Sequence, residues 1–256
     1  MAETKILALC GKGGVGKTSI GALMIKILSS QDNLKTLAID ADPAVGLASA
    51  LGVTARKTVD DIRRGLIKTI KDKDQKDKRE TLNLINYELF DALTQEKGFS
   101  LLAIGRPEDE GCFCKVNSLL KDIIQNLCVN FDVVLIDGEA GIEQINRRVM
   151  KTVDNLILVS DTSVKGLGVA NTIAHVAQDN KAVECSAMGL ILNRVRSRHE
   201  VDDIRSRTSL DIYGWIDDDD LIRDFDFKGT PLSQYPDASP AVRAISGILI
   251  KMGIYS

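Results

Sequence analysis

The chain has 256 residues, 44% hydrophobic and 27% charged, close to the averages of globular proteins, so a sizeable core can form and wholesale disorder is excluded. Its 33 Lys and Arg stand against 36 Asp and Glu, a net charge of −3, and aromatic residues make up only 4%; nucleic-acid binding would want a basic field and stacking platforms, so no nucleic-acid partner is expected. No apolar run approaches the ~18 residues that a membrane span needs, and the opening Met1-Ala-Glu-Thr-Lys5 lacks both a basic start and an apolar signal stretch. The expectation is a cytoplasmic protein with a single domain over residues 1–256.

In chain order, the apolar run at residues 6–10 has the length of a buried strand, glycines 11, 13, 14 and 16 interrupt it, and a periodic apolar stretch over residues 20–28 predicts a helix. Further strands are expected at residues 36–40, 101–104, 133–137, 156–160 and 188–193, with helices at 116–127, 142–150, 168–177 and 241–252. Residues 71–80 are mixed charge with no apolar side chain and read as a solvated loop or exposed helical turn. Strands apolar on both sides that alternate with helices imply an α/β fold, a mostly parallel central sheet with helices on both faces.

Between the first strand and helix, Gly11-Lys12-Gly13-Gly14-Val15-Gly16-Lys17-Thr18 fits G-x-x-x-x-G-K-[ST], with Ser19 following. Glycines let backbone N–H groups close around phosphate oxygens, the helix N-terminus adds a favourable dipole, Lys17 can reach the outer phosphates and the Thr18 hydroxyl can ligate Mg²⁺. The lysine and threonine argue against a fortuitous glycine turn and against a dinucleotide fold.

The second strand ends in Asp40-Ala-Asp42-Pro43, which sets two carboxylates at the sheet edge where ligands bind in open α/β folds. They would share a face if the strand continues that far; the plainer reading is an Asp-Pro turn. Asp137 closes Val133-Val-Leu-Ile-Asp137, a Walker B pattern suited to holding Mg²⁺ directly or through water. Asn193 ends another strand and can donate and accept at once, as an adenine edge requires. No Asn/Thr-Lys-x-Asp guanine motif occurs.

Lys12 puts a second lysine inside the loop. On that residue and the rest of the motif, the sequence resembles the deviant Walker A ATPases, the family of MinD, ParA and the nitrogenase iron protein. The resemblance implies a P-loop NTPase that hydrolyses ATP with Mg²⁺ as a homodimer, Lys12 reaching the partner's nucleotide and Asp42 orienting or deprotonating the attacking water. It also implies that Asp40 lies near the magnesium shell, that Asn193 reads adenine, and that the segment from Gly138 to Gly141 senses the γ-phosphate.

Five cysteines, an odd number, do not look like a disulfide framework. Cys10, Cys128 and Cys185 adjoin apolar stretches and are expected in the interior. Cys112 and Cys114 follow a polar, turn-prone stretch, form an exposed C-x-C, and carry the donor atoms of a Zn²⁺, Ni²⁺, Cu⁺ or iron–sulfur site. Two thiolates are half of a tetrahedral site, and a twofold axis would supply the other half, one metal per dimer. A C-x-C between the second strand and the Walker B strand resembles the carbon monoxide dehydrogenase accessory ATPases, which implies a metallochaperone that supports nickel insertion, with that dehydrogenase as client. Two alternatives stand beside it: an electron-transfer ATPase like the iron protein with an intersubunit [4Fe–4S] cluster, and a positioning ATPase of MinD or ParA kind. The last apolar helix carries Arg243 and Lys251 as its only basic residues, so it reads as a packed helix and no membrane partner is expected.

Overall fold

The computed structural model describes residues 3–72, 78–106, 114–138, 149, 152–180 and 184–255. Among them, eight strands form one sheet: β1 (Lys5–Cys10), β2 (Thr36–Asp40), β3 (Thr94–Glu96), β4 (Phe99–Ala103), β5 (Val133–Asp137), β6 (Thr152–Ser160), β7 (Glu184–Val195) and β8 (Ile212–Asp217). Their order across the sheet is β3-β4-β2-β5-β1-β6-β7-β8. Every pairing is parallel except the short β3–β4 hairpin at one edge.

The α/β architecture expected from the apolar runs is the one observed. Both β2 and β5 are buried along their full length, as strands covered on both faces must be. Alternate residues of each strand join opposite cores: Ala8, Ile39 and Ile136 face one side, Leu9, Ala38 and Leu135 the other. The first side is covered by α3 (Val59–Asp72), α4 (Lys78–Ala92), α5 (Cys114–Cys128), α6 (Val164–Asn180) and α7 (Arg198–Arg205). The second is covered by α1 (Lys17–Ser29), α2 (Gly46–Leu51) and α9 (Pro240–Lys251). A further helix, α8 (Asp220–Lys228), lies at the rim.

Several elements exceed the expectation, each for a legible reason. β6 and β7 run longer than their apolar segments because their polar ends still pair, Thr152 with Glu184 and Val153 with Cys185. β3 is largely exposed and has no apolar residue to read. The charged run is not a plain loop: its described residues close α3 and open α4. The helix expected over residues 142–150 lies outside the described residues apart from Val149. The final helix is capped as its sequence demands, the Ser239 hydroxyl accepting from the Val242 N–H at 3.2 Å with Pro240 at the first turn. Its apolar face, Ala241, Val242, Ile245, Ile248 and Leu249, is spent on the core. Among the described residues no helix is long and apolar enough to cross a membrane.

β1 sits between β5 and β6, and α1 crosses it closely: a Cβ built on Gly21 would stand 3.0 Å from Leu9 Cδ1. Leu9 is fully buried there. Leu9→Ala should therefore lower the unfolding free energy by roughly 3 kcal/mol, read as a reduced urea midpoint with an unchanged slope.

Candidate functional site

Because β1, β2, β5 and β7 are parallel, their C-terminal ends bring the phosphate-loop motif, Asp40, Asp137 and Asn193 to one edge of the sheet. The loop between β1 and α1 owes its shape to glycine. Gly11, Gly14 and Gly16 have φ of 149°, 81° and 94°, conformations that other residues rarely adopt. At Gly11 a Cβ would also stand 2.1 Å from the Val159 carbonyl oxygen, and at Gly16 it would stand 2.3 Å from Asn193 Nδ2.

Lys17 is buried and bends over the loop, its ammonium donating to the carbonyls of Gly11 at 3.0 Å and Lys12 at 3.2 Å. Val15 is buried, Gly13 and Gly14 are exposed, and Lys12, Thr18 and Ser19 are half-buried at the rim. An anion entering this loop would find backbone N–H groups at a helix N-terminus and a lysine already folded toward them.

Asp40 and Asp137 are register partners on adjacent parallel strands, with Leu9 of β1 beside Asp137. Asp40 is fully buried; its Oδ1 accepts from the Asp42 N–H at 3.2 Å and its Oδ2 from the Ala48 N–H at 3.0 Å, tying β2 to α2. Burial pushes its carboxyl up to about 6 against those two donors. Asp137 is 1% exposed, and neither of its oxygens has a hydrogen-bond partner among the described residues. Burial first, then the Asp40 charge, push it up to about 7; Thr18, outside direct hydrogen-bond geometry, and Lys17 oppose this. A buried carboxylate without a protein donor can take a cation as its partner. The residues present fit Mg²⁺: hard oxygen donors from Asp137, with Thr18 close by and Asp40 adjacent.

Asp42 does not share a strand face with Asp40, because β2 ends at Asp40. It sits in a turn, Oδ1 accepting from the Ala44 N–H at 2.8 Å and its carbonyl accepting from the Val45 N–H at 3.0 Å. The turn carries Val45 at φ 53°, uncommon for a β-branched residue, into α2. Asn193, 7% exposed, donates from Nδ2 to the Val15 carbonyl at 2.8 Å. A carbonyl can only accept, so the amide nitrogen faces it, and Asn193 thereby holds the loop as well as lining the cleft beside Gly16 and Ser19.

Cys10 and Cys128 are buried as expected, whereas Cys185 is only half-buried, packed against the same core; burial pushes the first two thiols up to about 12 and raises the third, so none is a ready thiolate. Cys114 is the first residue of α5, whereas Cys112 lies outside the described residues, as do residues 139–141 that follow Gly138. Among the described residues no three His, Cys, Asp or Glu side chains converge as a metal site.

The sequence pattern of the CobQ/CobB/MinD/ParA nucleotide-binding domain matches residues 6–232. The chain belongs to this family. An ATP-binding protein of Methanocaldococcus jannaschii is 36% identical over 249 residues, covering 96% of this chain and 98% of its own. The carbon monoxide dehydrogenase accessory protein CooC of Rhodospirillum rubrum is 31% identical over 248 residues, covering 93% and 91%. Among solved structures, MinD of Pyrococcus horikoshii complexed with Mg-ADP shares the fold with a TM-score of 0.70 at 23% identity, over 97% of this chain and 96% of that one. A ParA family ATPase of Chlorobium tepidum gives 0.71 at 21% identity, over 98% of both chains.

One wall of this family member's cleft escaped the sequence reading. Asp217, Asp218, Asp219, Ile222, Arg223 and Asp226 line it together with Asn193. The signal was present in an apolar run at residues 212–216 that ends in four consecutive aspartates, but β8 is a half-buried edge strand and its pattern is weak.

The two raised carboxyls give a stability test. A folded chain holding protons that the unfolded chain releases is stabilised below the ordinary carboxylate range of ~4, and that contribution is lost as pH rises through about 6 for Asp40 and about 7 for Asp137. The ligand-free protein should lose thermal stability between pH ~5 and ~8 by a few kcal/mol. Asp137→Asn should melt at least ~3 °C higher at the alkaline end, and Mg²⁺ should flatten the wild-type slope without moving the variant.

Proposed function

We propose that the chain is a Mg²⁺-dependent ATPase that dimerises with ATP and carries a transition metal between two Cys112–Cys114 pairs, supporting nickel insertion into the active-site cluster of carbon monoxide dehydrogenase. The observation that carries the nucleotide half is the orphaned Asp137 carboxylate, set beside Asp40 and near Thr18, at the mouth of a loop over which Lys17 is already folded. The metal half rests on the two thiols, on Lys12 as an independent reason for a twofold dimer, and on the 31% identity to CooC across 93% of the chain.

In this reading the loop from Gly11 to Ser19 holds the phosphates, and Asn193 contacts the base. Asp137, Thr18 and Asp40 hold Mg²⁺, which when bound neutralises charge on the phosphate oxygens. Asp42 keeps one carboxylate oxygen out of its own turn, and from the half-exposed turn it orients the attacking water and takes its proton. Water oxygen bonds to the γ-phosphorus, the bond to the β–γ bridging oxygen breaks, and ADP and phosphate leave. Lys17 from the same chain and Lys12 from the partner stabilise the charge that builds on the transferring group.

Asp42→Ala should bind ATP with near wild-type affinity and hydrolyse it at least ~100-fold more slowly, the scale of a lost general base; unchanged turnover would remove Asp42 from this role. Replacing Cys112 and Cys114 by alanine should abolish metal binding at one ion per dimer, measured by metal analysis with light scattering, and leave ATP binding intact. Wild-type stoichiometry in that variant would sink the metallochaperone half alone. A positioning role like that of MinD is the second reading, favoured by the shared fold; ATP-dependent sedimentation with liposomes would support it, although the apolar face of α9 is already buried in the core.

A further inference from the structure

Beside the phosphate loop a cleft opens between α1 and α8, lined by Gly16, Ser19 and Asn193 on one side and by Asp217, Ile222 and Arg223 on the other. The first wall is rigid: the Asn193 amide is bonded to the loop, and α1 is buried along most of its length. The second wall is built differently. No residue of α8 is buried. It touches the core through the partly buried Ile222 and Phe225, and Arg223 pairs within the same segment, with Asp218 at 2.9 Å and Asp220 at 3.0 Å.

A buried hydroxyl ties this wall to the body of the protein. Tyr235 is 1% exposed and donates to Asp219 Oδ2 at 2.6 Å, while Asp219 Oδ1 caps α8 by accepting from the Leu221 N–H at 3.0 Å. The same ring meets Phe225 edge-on, with centroids 5.1 Å apart. The turn just before Tyr235 is fastened to α1 and α2: Ser233 Oγ donates to the Leu51 carbonyl at 3.0 Å, and the Lys26 ammonium donates to the Ser233 carbonyl at 3.2 Å. One side chain thus fixes both the cap and the middle of α8 against helices that begin at the phosphate loop and at the Asp42 turn.

We propose that Tyr235 is a positioning residue whose hydrogen bond to Asp219 sets α8 as the outer wall of a nucleoside pocket, governing affinity for base and ribose and not for the phosphates. This rests on the nucleotide reading above. Tyr235→Phe removes the hydroxyl and keeps the ring. By calorimetry on the full chain it should bind Mg-ATP roughly five- to tenfold more weakly, the scale of a typical net hydrogen bond, and bind Mg-tripolyphosphate within about twofold of wild type. In turnover, KM for ATP should rise by the same factor with little change in kcat. Asp219→Ser keeps a capping oxygen but is too short to reach Tyr235, and should show the same selective loss, which decides the matter even if Tyr235→Phe fails to fold. Wild-type ATP affinity in Asp219→Ser, or an equal loss for ATP and tripolyphosphate, would overturn the inference. Wild-type protein that binds neither ligand would overturn the nucleotide reading, and this inference with it.

Discussion

Two carboxylates side by side in the interior are the constraint around which the rest of the site is built. Asp40 and Asp137 are paired in register at the ends of adjacent strands, nearly inaccessible to water, and Asp137 has no donor among the described residues. Leaving such a group without a partner costs on the order of 1–3 kcal/mol or more. The burden falls where the sheet is best able to carry it, between strands buried on both faces. What surrounds the pair also limits the cost: Asp40 is answered by two backbone N–H groups, and Lys17 and Thr18 act on Asp137 from the loop.

The same logic links site to fold. Ala48 N–H on α2 is one of the donors that satisfy Asp40, so the turn carrying Asp42 is spanned by a bond from strand to helix. Asn193 donates to Val15 and stands where any Cβ at Gly16 would collide with it. Loop, turn and cleft wall are therefore not independent devices hung on a sheet. Each borrows a backbone group or a side chain from its neighbour, and a ligand that moves one of them acts on the others through those bonds.

Much of this was legible in the sequence because short-range chemistry decides it. A strand, a glycine-rich break, a lysine and a threonine in fixed spacing leave little freedom, and the strands ending in Asp40 and Asp137 were plain as continuous apolar runs. The less legible parts have small or shared signals. β8 is only half buried, α8 has no buried side chain, and β3 is exposed and polar, so their apolar patterns are faint. The cysteine pair is the opposite case: clear as a motif, with Cys114 opening α5 and Cys112 beyond the described residues.

The sequence by itself determined the α/β class, the phosphate loop and the identity of the acidic and amide groups, since these follow from local spacing and from which residues can bury a strand. Only the tertiary structure decided that Asp40 and Asp137 are neighbours and that Asn193 holds the loop at Val15. Those facts depend on strand order and register, which join residues nearly a hundred or more positions apart. Tyr235 shows the difference most clearly. Its hydroxyl meets Asp219 only because the chain leaves α8, packs across α1 and α2, and returns to the cap it started from.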